Sequence, residues 1–300
     1  MMKKNICYGF LILISACASP DKSQIKQVEK KDLIYLSDKQ IDSLSDIMKV
    51  SSLNHETKKI DEIYNIYLKP NWKDTNNADF YLQRAHSNLL KSKFNDALID
   101  VIRAKKINSN YHYAYFINGL IAGMLNPTTA DSSIYYFNKA IDLDPNNALY
   151  LQTRSETYNS IHNYQKAIED INRAIKINPS DLQLYALRGA YLYSNDDYEL
   201  AITDFNKCFT YKKQDNLFYF RGACYFFTGK YELAMKDFDE AIKLNPNIGE
   251  YYTKRGASKF KLKNRDAAFE DFKKAKDLGD QEGTKYYNDC LIWYSKHKKI

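Results

Sequence analysis

The sequence predicts an all-α protein made of one helix hairpin repeated about six times. Three observations predict it. Residues 164–180 read YQKAIEDINRAIKINPS, residues 231–247 read YELAMKDFDEAIKLNPN, and YELAITDFNKCFT at 198–210 falls about halfway between them. The column Ala104, Ala140, Ala174, Cys208, Ala241 and Ala275 advances in steps of 36, 34, 34, 33 and 34 residues, which is the signature of a repeat. Two further columns hold only small residues: Ala97, Ser133, Ala167, Ala201, Ala234 and Ala268, and Ala85, Gly119, Ser155, Gly189, Gly222 and Gly256. Small residues at fixed helical offsets let two helices approach closely while larger neighbours fill the grooves. All six prolines (20, 70, 127, 145, 179 and 246) fall at proposed boundaries or loops, and no stretch alternates as a strand does.

The first element is the opening MMKKNICYGFLILISACASP. Two lysines before an apolar run of about a dozen residues form the pattern of an export signal, too short to span a bilayer comfortably. ISAC at residues 14–17 resembles the lipobox of bacterial lipoproteins, and that resemblance implies that Cys17 becomes the acylated N-terminus. Ala16-Cys17-Ala18 also fits an ordinary signal-peptidase site, which would release a soluble protein beginning at Ser19. Residues 1–16 are thus assigned to a lipoprotein signal. Residues 17–32 are polar and read as a flexible tether, reaching roughly 20 Å for about 15 residues. In 33–77, Ile41, Leu44, Ile47 and Met48, then Ile60, Ile63, Tyr64 and Tyr67 before Pro70, suggest a degenerate helical hairpin or cap.

Residues 78–280 hold the repeats. In 215–229, Phe218, Cys224, Tyr225 and Phe226 give a mainly apolar helix A, and Gly229 supplies a turn. Tyr231, Ala234, Phe238, Ala241 and Ile242 then mark helix B, which Asn245-Pro246 stops. A 34-residue helix-turn-helix with an aromatic at position 4, small residues at 8, 20 and 27, and proline at 32 resembles the tetratricopeptide (TPR) repeat. In that register repeats begin at Ala78, His112, Ala148, Leu182, Asp215 and Gly249. The resemblance implies a right-handed α-α superhelix with a concave face. Residues 281–300 follow as a capping helix with Tyr287, Cys290, Leu291 and Tyr294 on one stripe, then a basic tail; solenoids need such a cap with a polar outer face.

Composition suits a folded helical domain, with 44% hydrophobic and 27% charged residues and ten glycines. Formal net charge is +7, and residues 254–300 carry 13 Lys/Arg against 7 Asp/Glu. Attraction to an anionic surface is one reading of that excess; a solvated helix face is the plainer one, because acids are interleaved. Nucleic acid does not suit an exported chain. With Cys7 in the signal and Cys17 at the lipobox, Cys208, Cys224 and Cys290 remain. An odd set on apolar stripes reads as buried thiols, although export would permit a disulfide.

No phosphate-binding loop, nucleophile elbow, H-E-x-x-H, C-x-x-C or EF-hand loop occurs, and the five histidines form no i, i+4 pair. We expect no catalytic residue, no metal and no cofactor. One polar pattern stands out. Arg84, Arg154, Arg188, Arg221 and Arg255 occupy position 7 of five repeats, and Asp100, Asp170, Asp204, Asp237 and Asp271 occupy position 23 of the same five. Repeat two lacks both, with Asn118 and Tyr136. Joint loss suggests structural ion pairs, since Arg matches a carboxylate bidentately and an unpaired buried charge is costly. Pairing within a repeat is favoured over pairing with a neighbouring repeat's Asp.

The TPR resemblance implies that helix A positions 2, 5, 9, 12 and 13 line the groove. Those positions make Tyr193, Tyr219, Phe226, Phe227 and Phe260, with Asn216 and Lys261, candidate partner-binding residues; packing against the next helix would explain the same residues. The expected protein is a non-enzymatic, membrane-anchored scaffold lipoprotein of the bacterial cell envelope, at the outer membrane. It would bind a protein or peptide in its groove and is compatible with self-association as a homodimer. Similar architectures serve as adaptors for envelope enzymes, as secretin pilotins and in outer-membrane assembly. The alternative is a glycan-binding envelope lipoprotein using groove aromatics.

Overall fold

Asn77 begins the part of the chain that the computed structural model describes, which comprises residues 77–125, 130–209 and 213–297. The expected signal, Cys17, the tether, the 33–77 hairpin apart from Asn77, and the tail beyond 297 lie outside it. Among the described residues there are thirteen helices and no strand. They are α1 Ala78–Leu90, α2 Phe94–Ile107, α3 His112–Leu125, α4 Asp131–Leu143, α5 Ala148–Ser160, α6 Tyr164–Ile177, α7 Leu182–Ser194, α8 Tyr198–Cys208, α9 Asp215–Phe227, α10 Tyr231–Leu244, α11 Gly249–Lys261, α12 Arg265–Asp277 and α13 Gln281–His297. The odd helices α1 to α11 start where the repeat register starts.

Local chemistry sets these limits. Asn77, Asp181 and Asn264 cap α1, α7 and α12, accepting from the amides of Phe80, Gln183 and Ala267. Asp280 does the same for α13, accepting from Gly283 N at 2.7 Å and also from Thr253 Oγ1 of α11 at 2.6 Å. Each described hairpin turn holds one residue in the left-handed region: Ser92, His162, Asp196, Gly229 and Lys263, with φ of 58–77°. That conformation closes a helix C-terminus, and only Gly229 takes it without a Cβ penalty. The position-4 tyrosines have a second use. Tyr115, Tyr185 and Tyr252 each donate, at 3.2 Å, to the carbonyl six residues earlier, pinning the loop that ends the preceding even helix.

The chain forms two compact units. The first holds α1 to α5; the second holds most of α6 and all of α7 to α13. Within the units, α2, α4, α8, α10 and α12 each pack on the odd helices before and after them, and successive odd helices touch: α1 with α3, α7 with α9, α9 with α11, and α11 with α13.

The small columns work as expected of close helix contacts, with one refinement. Gly189, Gly222 and Gly256 face Phe205, Phe238 and Phe272, and a Cβ on any of them would come within 2.8–3.0 Å of a ring carbon. Gly119 meets Phe137 in the same way. Where the small residue is Ala85 or Ser155, the matching residue is Val101 or Ile171, so size is compensated column by column. We expect Gly256→Ser to cost about 1–3 kcal/mol by overpacking. Adding Phe272→Ile, the repeat-three combination, should restore part of that loss. A double variant less stable than the single one in urea denaturation would overturn the size-matching account.

The C-terminal helix departs from the expected stripe. Its inner face centres on Gly283, Tyr286, Tyr287, Cys290 and Tyr294. Tyr287 and Tyr294 both pack on Phe269, with centroids at 4.9 and 5.2 Å. Centring on these residues turns Leu291 outward, where it is 43% exposed beside Ile292 at 55%. The outer face is therefore not wholly polar. Cys208 and Cys224 are buried free thiols and Cys290 is a half-buried one.

Candidate functional site

Four of the five arginines of position 7 are seen to pair within their own repeat. Arg84, Arg188, Arg221 and Arg255 place Nη2 at 2.5–2.6 Å from an oxygen of Asp100, Asp204, Asp237 and Asp271, and Nε on the other oxygen at 2.7–2.9 Å. These carboxylates are buried, at 2–5% exposure. Burial raises the Asp237 carboxyl against the lowering pull of Arg221.

Arginines of this column also reach backwards, a contact the sequence did not lead us to expect. Nη1 of Arg188, Arg221 and Arg255 lies 2.7–2.8 Å from Asn172, Asn206 and Asp239 of the preceding even helix, and Arg154 bonds Asn138 at 2.6 Å. Asp239, although largely exposed, is therefore part of a clamp. The signal was in the sequence. Position 25 reads Asn138, Asn172, Asn206 and Asp239 before the four arginines, and Ile102 before Asn118, where no arginine follows. In the first unit Arg154 holds Asn138; its candidate partner Asp170 lies in the second unit, beside Arg173 at 4.0 Å.

The expected groove residues divide into two sets. Tyr219 is closed off. It is 9% exposed, stacks on Tyr251 with centroids 5.3 Å apart, and donates to the Glu250 carboxylate. It braces α9 against α11 and presents no ring face to a ligand, which corrects its expected role as an anchor. Burial, reinforced by the charge of Glu250, raises its phenol well above the usual range. Asn216 is half-buried near the same end of α9, with its Oδ1 buried and, among the described residues, without a hydrogen-bond partner.

Tyr193, Phe226 and Phe227 do come together, eight residues and about 12 Å further along α9 from Tyr219 in the case of Phe227. Phe227 lies flat on Tyr198, with centroids 4.9 Å apart and planes within 12°. Tyr193 tilts against both rings, at 5.9 and 6.1 Å, and Phe226 abuts Phe227 and Tyr231. Tyr198 and Tyr231, the first residues of α8 and α10, were absent from the expected set. They place this aromatic ledge at the edge where odd helices turn into even ones, not along the middle of the odd-helix face. Phe227 remains 52% exposed, and Phe260 at the end of α11 is 47% exposed beside exposed Lys261. Asp196 accepts from the Tyr198 hydroxyl at 2.7 Å, fixing the ring under Phe227.

His86 lies in the first unit, where its Nδ1 shares a 2.5 Å hydrogen bond with the Tyr113 hydroxyl. Burial lowers its pKa to about 4, so the ring is neutral in the fold. Between about pH 6.5 and 4 the unfolded chain therefore takes up the proton first, and stability is lost as pH falls through that window. His86→Asn should flatten the slope of urea midpoint against pH over this range. An unchanged slope would remove His86 from the account.

Among the described residues no group of three His, Cys, Asp or Glu could hold a metal ion. No described helix is long and apolar enough to cross a membrane. What the geometry defines, within each unit, is a stack of clamped helix hairpins; the second unit adds an aromatic edge. Models of the tetratricopeptide repeat match residues 148–181, 182–215 and 216–248, so the chain carries these repeats. No curated protein matches it. Solved structures that it resembles include MamA (20% identity, covering 63% of this chain and 96% of that one, TM-score 0.52). YrrB, described as a TPR protein with an unusual peptide-binding site, is 17% identical over 63% of this chain and 97% of its own, with TM-score 0.55. PilF of Pseudomonas aeruginosa is 16% identical over 71% and 97%, with TM-score 0.58. At these identities the likeness is one of fold.

Proposed function

We propose that this protein is a membrane-anchored TPR scaffold of the bacterial cell envelope that holds a protein or peptide segment against its aromatic ledge. The observation that carries the proposal is Phe227: a large apolar ring left half open, yet fixed on Tyr198 and flanked by Tyr193 and Phe226. A preordered aromatic that needs no reorganisation on binding is the kind of anchor that dominates interfaces. YrrB, a TPR protein described as having an unusual peptide-binding site, supports the same use of the fold. The anchor rests on the lipobox resemblance at Cys17, whose acyl chains would confine the repeats to a membrane plane.

A photo-crosslinking amino acid at position 227, introduced in cells, should trap one protein reproducibly. Purified partner should then bind Phe227→Ala about 1–3 kcal/mol more weakly. Equal binding by Phe227→Ala would remove the ledge from the proposal. Cys17→Ser should remove the mature protein from the membrane fraction; a native protein that is soluble and begins at Ser19 would refute the anchor.

A further inference from the structure

We propose, on the reading of the ledge as the binding edge, that its occupant is a basic protein segment with an arginine laid on the open face of Phe227. One face of that ring is covered by Tyr198 at 4.9 Å, while Tyr193 and Phe226 meet it at an angle. With 52% of the residue exposed, the other π face looks outward. The ring leans on repeat four, and that repeat supplies most of the charge. Asp196, Asp197 and Glu199 flank Tyr198 in the chain and are exposed, as is Glu232 beside Tyr231. Across the turns 195–199 and 228–232 these four carboxylates stand against one ammonium, Lys230, which lies 2.9 Å from Glu199. Asp196 accepts from the Tyr198 hydroxyl at 2.7 Å and Asp197 from the Asn195 amide at 2.6 Å, which holds both carboxylates beside the stacked rings.

The fold itself does not ask for this charge. Helix N-termini favour acids, and that accounts for the column of Glu199, Glu232 and Asp266. Asp197 precedes α8 but its side chain makes no capping bond, and Asp196 has a left-handed backbone. Their columns hold Ser92 and Lys93 in repeat one, and His162 and Asn163 in repeat three. A negative edge repels acidic segments and attracts cations, so charge complementarity selects the occupant. Arginine suits it better than lysine, because a planar guanidinium stacks on a ring and still donates to carboxylates at the rim. The chain makes that pairing internally: the Arg221 guanidinium lies 4.2 Å from the Phe209 centroid while it binds Asp237. The next turn, 261–266, reverses sign, with Lys261, Lys263 and Arg265 against Asp266. The cationic part of the segment therefore lies over repeats four and five and ends before repeat six.

A random peptide library displayed on phage, selected on the full chain with Phe227→Ala as counter-selection, should return arginine-bearing peptides. A synthetic copy of one should bind about tenfold more weakly when Asp197→Asn, Glu199→Gln and Glu232→Gln are combined, and added salt should narrow that difference. The melting curve of the triple variant should stay in place, because all three residues are exposed. Phe227→Leu, apolar but without a π face, should weaken the same peptide about three- to fivefold. Phe227-dependent peptides that are neutral or acidic, or binding indifferent to the neutralised carboxylates, would overturn the basic occupant and leave the ledge standing. A library that yields nothing dependent on Phe227 would remove the ledge and this occupant together.

Discussion

Arg221→Ala should lower stability by about 3–5 kcal/mol, measured by urea denaturation. The size follows from what is left behind. Asp237 is 5% exposed, and its two oxygens accept from Arg221 at 2.6 and 2.8 Å. Removing the guanidinium leaves a carboxylate buried between α9 and α10 without its charge partner. It also breaks the bond to Asn206 and removes a cation from 4.2 Å above the Phe209 ring. Two controls separate charge from packing. Arg221→Ala with Asp237→Asn should recover part of the loss, since the second change removes the stranded charge. In the single variant the carboxyl pKa rises further above its unfolded value. The defect should therefore shrink as pH falls into the carboxylate range, where the folded state binds the proton first. A loss below about 1 kcal/mol, as for an exposed pair, would show that the clamp is incidental.

Tyr219→Ala and Phe227→Ala should have opposite profiles. Tyr219 fills a closed site between Phe238 and Tyr251, so truncation should cost about 3–5 kcal/mol, as for other large buried rings. Phe227 is 52% exposed, and its loss should move the melting curve by well under that while weakening partner binding. Thermal denaturation of the two variants side by side decides between ledge and core. A collapse of the Phe227→Ala protein would place the ring in the core and leave the proposed binding edge without its anchor.

The helices and their limits were legible because the repeat writes them six times over. Periodicity, small columns and Asn-Pro stops all point to the same register, and random coincidence does not survive that many copies. The pairing of Arg221 with Asp237 was legible from joint absence in repeat two. Its backward bond was not read, although Asn206 and its equivalents stand at a fixed position, because an Asn on a helix surface carries no charge to demand a partner. The groove was legible only in part. Sequence position identifies Tyr219 and Phe227 as members of the same helix face, but burial depends on what the next repeat supplies. Glu250 and Tyr251 close over Tyr219, whereas Phe227 stays half open among the described residues. The left-handed turn residues were obscured for a different reason: Ser92, His162, Asp196 and Lys263 occupy a conformation that the sequence advertises only at Gly229.

The run of backward-reaching arginines has a gap, and the gap has a mechanical meaning. Between the first and second repeats the arginine is replaced by Asn118 and its target by Ile102, so α2 and α3 are joined without the charged buckle that ties α4 to α5. Across this junction run a neutral bond between Tyr113 and His86 and the Lys105 ammonium over the Tyr115 ring, 4.3 Å from its centroid. In a stack whose stability is summed from neighbour to neighbour, the weakest interface sets where the array parts. Within the first unit, a pull applied at α1 is expected to part α2 from α3, with α1 and α2 still buckled by Arg84 and Asp100, before it parts α4 from α5.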